Sequence, residues 1–149
     1  MSATGVPADV PEGFERNAEG GEFIAGSGPL YLRQVGSRVQ LGFRVESRHT
    51  NGIAMCHGGM MATFCDMLLP LTARRVVAEL RRRVLPTVSL QLDYLAPSRP
   101  GAWVQGEAQV LRTTRALVFV QGLVVADEVP VARVSGVLKI GPTFGPAAD

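Results

Sequence analysis

Residues 51–60, "NGIAMCHGGM", hold residue types that can do chemistry at close spacing. Cys56, one of two cysteines, and His57, one of two histidines, are followed by the pair Gly58 and Gly59. Neighbouring side chains usually point in different directions, and cysteine–histidine enzymes bring the two groups together from distant parts of the chain. We therefore do not expect Cys56 and His57 to be a nucleophile and its base.

The glycine pair stands at the start of a predicted helix. From Gly59 to about Arg82 the segment "GMMATFCDMLLPLTARRVVAELR" is rich in helix formers, and its first half is apolar on nearly every side, which predicts a buried helix. A helix start presents unpaired N–H groups and the positive end of the macrodipole, so it can bind a carbonyl oxygen that becomes negative during a reaction. A phosphate cradle is disfavoured, because the segment has neither the Lys-Ser or Lys-Thr of a P-loop nor a GxGxxG spacing.

Asp66 is the acidic residue of this apolar half-helix, seven residues after Gly59 and so on roughly the same face. We expect a buried carboxylate, which is costly unless it is paired or used, although a solvated or structurally paired aspartate is the alternative. The helix start and Asp66 of one chain are about 12 Å apart, too far to act on one carbonyl carbon. If both take part, they come from two chains, which predicts a dimer with antiparallel helices that bring each Gly58 near the partner's Asp66.

The remaining candidates for chemistry are weaker. A metal site would need His57 with His49 and either Asp66 or Asp93, but this spacing matches no known ligand pattern, so we expect no metal. His49 is expected at the surface or at a strand end. Cys65 lies on the apolar helix and is expected in the core.

Pro70 interrupts the predicted helix, because it cannot donate a hydrogen bond to the carbonyl of Asp66. Either the helix is kinked or irregular beside Asp66, or it ends and a second helix begins near Thr72. The other large side chains of this segment are expected mainly in the core: Met60, Met61, Phe64 and Met67.

Alternation of bulky and polar residues predicts the strands. It occurs on both sides of Gly36-Ser37 within residues 31–47, where Leu41, Phe43 and Val45 share one face. It returns after the helix in four segments, residues 87–96, 102–112, 115–127 and 129–140. The connections "PSRPG", "RTTR" and "DEVP" are short enough to join antiparallel neighbours as hairpins or tight turns. The pattern predicts an α+β fold in which the sheet wraps around the helix.

Composition agrees with one soluble domain. The 149 residues are 46% hydrophobic and carry a net charge of +2, which is enough apolar material for a core and too balanced a charge to indicate binding to nucleic acid or a membrane surface. Without a leading apolar segment, a membrane-length apolar run or a CxxC pair, we expect a cytoplasmic protein with reduced thiols. The expected boundaries are a frayed tail at residues 1–12, one domain at 13–140 and a second tail at 141–149.

Three segments, "NGIAMCHGGMMATFCD", "TVSLQLDYLAPS" and "GEAQVLRTTRALVFVQGLVV", give the chain a resemblance to a known family. Over roughly residues 30 to 140 it resembles the hotdog-fold acyl-CoA thioesterases, in particular the phenylacetic-acid-degradation-like (4-hydroxybenzoyl-CoA thioesterase-like) group. The resemblance implies an antiparallel sheet of five to six strands around one long central helix. It also implies a homodimer joined edge to edge, often paired into a homotetramer.

The resemblance implies a role for each residue of the family pattern. The N–H of Gly58 polarises the thioester carbonyl, while Asp66 of the partner chain acts as general base or nucleophile. Asn51, which is followed by Gly52, helps to hold Asp66 or the attacking water. His57 orients the loop or supports the end of the helix that binds the carbonyl. Thr87 binds the water or the carboxylate. Coenzyme A's thiolate leaves readily, so the chemistry needs no metal and no cofactor.

Substrate binding is expected in two places. Gly59 and Met60 lie at the helix start, where Met60 can line an acyl pocket. Family members often place basic residues in the hairpin that here reads "LRTTRAL", so Arg112, Thr113 and Arg115 are candidates for the coenzyme A phosphates, with an ordinary charged turn as the alternative. The run at residues 81–83 is expected to be structural, because basic residues are favourable at a helix C-terminus.

The sequence therefore predicts an acyl-CoA thioesterase that hydrolyses an acyl- or aryl-CoA to the free acid and coenzyme A. Two alternatives stay open: a hotdog module that binds acyl-CoA without turnover, and a hotdog hydratase or dehydratase that uses His57 and Asp66 for proton transfer.

Overall fold

The computed structural model describes residues 5–145, in which one antiparallel sheet packs against a long helix. The strands are β1 (Glu15–Arg16), β2 (Tyr31–Val35), β3 (Arg38–Arg44), β4 (Thr87–Tyr94), β5 (Trp103–Thr113), β6 (Leu117–Ala126) and β7 (Val129–Lys139). The helices are α1 (Gly21–Ser27) and α2 (Gly58–Val76), and short 3₁₀ turns lie at Ser47–His49 and Ala78–Leu80.

The predicted α+β class is confirmed, with two additions before β2. The sheet has seven strands instead of five to six, because the two-residue β1 is too short to show an alternating pattern. Helix α1, with the sequence "GEFIAGS", was not predicted because its residues are mostly small and carry no apolar periodicity. The outer parts of the predicted tails, residues 1–4 and 146–149, lie outside the described residues.

The order of strands corrects one prediction. The sheet runs β1-β2-β3-β5-β6-β7-β4, so β4 pairs with β7 and β5 with β3, and "PSRPG" joins no hairpin. The connection after β4 crosses the beginning of α2, where the carbonyl of Ser98 accepts a 2.8 Å hydrogen bond from the N–H of Cys56. A short turn-forming sequence reverses or bends the chain but does not select the pairing, which follows burial of the inner face over α2.

Helix α2 begins at Gly58, continues through the buried Pro70 and ends at Val76. The alternative of a second helix near Thr72 is therefore wrong, and so is the predicted end near Arg82. The chain becomes extended at Val77, whose N–H still reaches the carbonyl of Ala73 at 3.0 Å. None of the helices within residues 5–145 is long and apolar enough to cross a membrane.

The core forms where the apolar faces of α2 and the sheet meet. Leu41, Phe43 and Val45, which were predicted to share one face, are all buried, and Cys65 is fully buried as predicted. The helix lies close to two strands that carry glycine. A Cβ on Gly106 would come within 2.7 Å of Leu68, and one on Gly136 within 2.5 Å of Leu69. The remaining buried residues of α2 are Met60, Met61, Phe64, Leu71, Thr72 and Ala73.

Candidate active site

The beginning of α2 is capped by the side chain of His57. Its Nδ1 accepts a 2.8 Å hydrogen bond from the N–H of Gly59, and its carbonyl accepts from the N–H groups of Met60 and Met61 at 2.9 and 3.1 Å. A neutral imidazole that accepts at Nδ1 carries its proton on Nε2. The exposed His57 ring therefore presents an N–H donor beside the helix start.

Gly58 is the first residue of α2, and its N–H is a donor that the fold does not use. Within residues 5–145 this N–H has no hydrogen-bond acceptor, because the cap and the first-turn bonds serve the three residues that follow. An unpaired N–H at the positive end of a 19-residue helix can stabilise negative charge on a carbonyl oxygen.

Tyr94, the last residue of β4, contacts the carbonyl of Gly58. Its hydroxyl donates a 2.7 Å hydrogen bond to the carbonyl of Gly58, and its ring would lie 3.4 Å from a Cβ on that glycine. Tyr94 is nevertheless 57% exposed, because it stands at the edge of the sheet. It thus fixes the helix start to the edge strand.

Asn51 shapes the loop that leads to His57. Its side-chain oxygen accepts 3.1 Å hydrogen bonds from the N–H groups of Ile53 and Met55, and its own N–H donates to the carbonyl of Met55 at 2.8 Å. The amide oxygen is therefore engaged in the loop of its own chain, and it makes no hydrogen bond to Asp66 there.

Asp66 is exposed on the surface of the single chain, so the prediction of a buried carboxylate is wrong. The sequence was misleading because the residues before and after Asp66 in α2 are mostly apolar. In the single chain, one face of α2 nevertheless remains open to solvent at Asp66. Asp66 Oδ1 accepts a 2.7 Å hydrogen bond from the hydroxyl of Thr87, the first residue of β4. Its other carboxylate oxygen has no partner in the described part of the chain.

The two halves of the candidate site therefore lie at opposite ends of the same edge strand. Gly58 contacts Tyr94 at the end of β4, whereas Asp66 contacts Thr87 at its beginning. Eight residues of helix separate the two groups, about 12 Å along the axis. One chain thus does not bring the donor and the acid together.

His49 was predicted at the surface or at a strand end, but it is buried, with 4% of its surface exposed, and lies in the 3₁₀ turn Ser47–His49. Its Nδ1 accepts from the N–H of Glu46 at 3.0 Å, its Nε2 lies 2.6 Å from the carbonyl of Ser27, and its ring packs edge-on against Phe43. Its backbone carbonyl accepts a 2.7 Å hydrogen bond from the N–H of His57. His49 thereby ties α1, the end of β3 and the helix start together.

A cleft of about 410 Å³ lies between α1 and the first turns of α2, and we call it the α1–α2 cleft. His57, Gly59 and Met60 form part of its wall, with Thr63 one turn further along the helix and Phe23 on α1. The predicted substrate-binding residues Gly59 and Met60 thus form part of the wall of an open cleft, directly after Gly58 in the chain.

The thiols are poorly suited to nucleophilic chemistry. Burial raises the pKa of the half-buried Cys56 thiol to about 11. Burial, with the neighbouring charge of Asp66, raises the pKa of Cys65 to about 12. Both therefore stay protonated near neutral pH.

The predicted phosphate-binding residues lie in the β5–β6 hairpin. Leu138 of β7 pairs with Thr87 on one side and with Val118 on the other, so this hairpin leaves the sheet at the end where Asp66 lies. Arg112, Thr113 and Arg115 are exposed, and within residues 5–145 neither arginine has an ion-pair partner.

No group of three or more His, Cys, Asp and Glu side chains within residues 5–145 is placed to hold a metal ion. The basic run at residues 81–83 takes part in holding the fold together, since Arg83 donates a 2.6 Å hydrogen bond to the carbonyl of Gly141.

An antiparallel sheet around a central helix, with an unpaired N–H at the helix start and an acid two turns on, defines a hotdog-fold protein with a candidate acyl-transfer site. The family model of the thioesterase superfamily matches residues 54–132, and the chain belongs to this superfamily.

Relatives agree in sequence and in fold. A Pseudomonas aeruginosa protein named "putative esterase PA0474" is 28% identical over 135 residues, which cover 89% of this chain and 98% of that protein. The crystal structure of zebrafish thioesterase superfamily member 2 has a TM-score of 0.70 at 22% identity and covers 84% of this chain and 89% of that one. A Streptococcus pneumoniae TIGR4 protein described as a hypothetical thioesterase was solved with coenzyme A. Its structure has a TM-score of 0.66 at 14% identity, and the match covers 78% of this chain and 91% of that one. The two structures show that the fold is shared.

Tyr94 is the site residue that sequence reasoning missed. It lies in the segment "TVSLQLDYLAPS", but Thr87 and Tyr94 are seven residues apart, and strict alternation would put them on opposite faces of the strand. A bulge between Thr87 and Ser89 shifts the register by one residue, so both side chains reach α2.

Proposed function

We propose that the protein is an acyl-CoA thioesterase whose active site is shared between two copies of the chain. The proposal depends mainly on the two contacts at the ends of β4, Tyr94 with Gly58 and Thr87 with Asp66. Each copy holds one donor, on the half-buried Gly58, and one acid, the exposed Asp66, and the two are too far apart to act on one carbonyl carbon.

The free edge of β4 is the surface through which a second copy would complete the site. β4 is the outermost strand of the sheet, and large apolar side chains are exposed along it and just after it, including Val88 at 62% and Leu95 at 51%. Exposed edge strands readily pair with another chain. In a two-fold pairing of β4 over its whole length, Tyr94 lies opposite the partner's Thr87. Gly58 of one copy then faces the partner's Asp66.

The chemistry follows from these groups. Asp66 takes a proton from water while the water oxygen bonds to the thioester carbon, or its carboxylate attacks that carbon directly and water releases the acid afterwards. The carbonyl electrons move onto the oxygen, which the N–H of Gly58 stabilises. The C–S bond then breaks and coenzyme A leaves as a thiolate, which takes up the proton held by Asp66 in the first route, or a proton released when water cleaves the acyl-aspartate in the second. Thr87 holds one oxygen of Asp66, so the other is available for the reaction.

The other predicted residues support these two groups. His57 and Asn51 shape the helix start and the loop before it. The β5–β6 hairpin lies two strand spacings from Thr87, roughly 10 Å, which the pantetheine arm of coenzyme A can span. We assign Arg112 and Arg115, with Thr113, to the coenzyme A phosphates, since guanidinium groups suit phosphate oxygens. The coenzyme A bound to the Streptococcus pneumoniae protein supports this class of substrate.

Mixing two inactive variants tests both the activity and the sharing of the site. Asp66→Ala removes the acid, and Gly58→Pro removes the N–H. In a screen of short, medium, long and aromatic acyl-CoAs, we expect each variant alone to release thiol at about one hundredth of the wild-type rate or less. After co-refolding, each mixed dimer has one intact site, so activity should return to about one quarter of wild type by random pairing. Asp66→Ala carried through the same refolding by itself is the control. A mixture that stays inactive while the wild type is active contradicts the shared site, and a wild type inactive on all acyl-CoAs contradicts the function.

A further inference from the structure

Most residues that line the α1–α2 cleft are polar or glycine, but Phe23 and Met60 are two large apolar residues that the reaction at Gly58 does not use. Phe23 on α1 is 70% exposed although it is a large aromatic residue, and it faces the same cavity as Met60, which is buried. Leaving such a ring in water is unfavourable, since its burial would remove a large apolar surface from water. The ring is therefore positioned where a ligand can cover it.

The orientation of Phe23 is determined by its neighbours in α1. The next residue, Ile24, is buried in the core, so the helix is anchored by that side chain. Gly20, just before the helix, has a left-handed φ of 110°, and a Cβ there would come within 2.5 Å of Ile24 and 2.9 Å of Met67. This close approach holds α1 against α2, with Phe23 at the opening between them.

Polar contacts from the 3₁₀ turn Ser47–His49 fix the far end of α1. The Nε2 of His49 lies 2.6 Å from the carbonyl of Ser27, and a guanidinium nitrogen of Arg48 donates to the carbonyl of Gly26 at 2.6 Å. The hydroxyl of Ser27 in turn donates to the carbonyl of Phe23 at 2.8 Å. The wall that carries Phe23 is thus formed before any ligand binds, which lowers the entropic cost of binding.

We propose that the α1–α2 cleft binds the acyl group of the substrate and that Phe23 selects bulky apolar acyl groups, aromatic or of medium chain length, over acetyl. This inference rests on the proposed thioesterase function, because His57 and Gly59, the residues on either side of Gly58 in the chain, line the cleft. Its volume of about 410 Å³ suits a small apolar group, and Phe23 and Met60 contribute apolar surface.

Binding to the Asp66→Ala protein separates this inference from turnover. Calorimetry with acetyl-CoA, hexanoyl-CoA and benzoyl-CoA should show tighter binding of the two larger groups. Replacing Phe23 by Ala in the same background should raise the Kd of hexanoyl-CoA and benzoyl-CoA about tenfold and leave that of acetyl-CoA unchanged. Val35→Ala, which removes an equally exposed apolar side chain on β2, is the matched control and should change none of the three.

The outcomes separate the two hypotheses. Equal weakening of all three ligands, or no change for any of them, overturns the role of Phe23, as does a wild-type preference for acetyl-CoA. If Phe23→Ala abolishes the preference but the wild type releases no thiol, the acyl site stands and the thioesterase function fails. Because Phe23 is mostly exposed, the thermal midpoint should stay within about 2 °C, and a larger fall contradicts its placement at the cleft surface.

Discussion

The two ends of helix α2 differ in how completely one chain satisfies them. At the C-terminal end, Arg74 and Arg75 both bind the carboxylate of Glu19, at 2.6 and 3.0 Å, and favour the negative end of the helix dipole. Burial raises the pKa of Glu19, but hydrogen bonds from the two arginines and their charges together bring it below its usual value. This end is closed by the groups of its own chain.

At the N-terminal end of α2, two polar groups keep hydrogen-bonding capacity that their own chain does not use. The N–H of Gly58 has no acceptor within residues 5–145, and two turns further on Asp66 keeps one carboxylate oxygen free. Gly58 is half-buried and Asp66 is exposed, and both lie beside β4, the outermost strand of the sheet. Polar groups are available for chemistry where the fold leaves them without hydrogen-bond partners. Changes at the N-terminal end should therefore affect activity, and changes at the C-terminal end should affect stability.

Asp66→Ala should have the largest effect on activity. Loss of a general base or nucleophile should reduce kcat by a factor on the order of 10³, measured as thiol release from the best acyl-CoA. The thermal midpoint should not fall, because this side chain is exposed in the single chain. A variant with more than a tenth of wild-type kcat would remove Asp66 from the mechanism.

Gly58→Pro should have the next largest effect, because it removes one N–H and little else. Proline is favourable at the first position of a helix, and His57 before it already has the extended ψ of 135° that proline requires. Loss of an oxyanion donor should reduce kcat by about 10²–10³.

Gly58→Ala is the matched control, since it keeps the N–H. Its Cβ would meet Tyr94 at an ordinary van der Waals distance of 3.4 Å. We expect kcat of this variant within a few-fold of wild type, and equal losses in both variants would show that the peptide N–H is not what matters.

Tyr94→Phe should have a moderate effect. It removes the hydrogen bond to the carbonyl of Gly58 but keeps the ring, so the helix start loses a positioning contact, and kcat should fall by up to about tenfold with KM unchanged. Steady-state kinetics check this split. Tyr31→Phe in the aromatic cluster with Phe14 and Trp103 is the control and should leave kcat unchanged. A rise in KM with normal kcat would indicate a contact with substrate instead.

Glu19→Gln should have the smallest effect, and it should appear only in stability. The carboxylate is partly exposed, so its ion pairs should contribute no more than about 1 kcal/mol. Because the folded pKa of Glu19 is lowered, this contribution is present above the unfolded pKa and is lost as the pH falls through the folded pKa.

Thermal unfolding across acidic pH should therefore show a decline in wild type that Glu19→Gln partly lacks, with thiol release near neutral pH unchanged. Glu22→Gln, on an exposed residue nearby, should behave like wild type. A loss of activity in Glu19→Gln would contradict the separation between the two ends of α2.

Local sequence signals were enough to predict most of the strands, the long helix and part of the candidate site. Periodicity predicted the strands from β2 to β7 and the long helix, because burying one face requires apolar residues at every second or at every third to fourth position. Spacing singled out His57, Gly58 and Asp66, since a helix start and an acid at seven residues are both local features. β1, α1 and the burial of His49 were missed, because these depend on contacts with residues far along the chain.

By itself the sequence determined that a long helix begins at a glycine pair, that an acid follows two turns later and that antiparallel strands cover the helix. Only the tertiary structure decided that β4 is the edge of the sheet, that a bulge turns both Thr87 and Tyr94 towards α2, and that Asp66 is exposed. The reason is physical. Which strands pair, and which edge stays free, depends on burying the whole inner face at once, and no short stretch of residues contains that information.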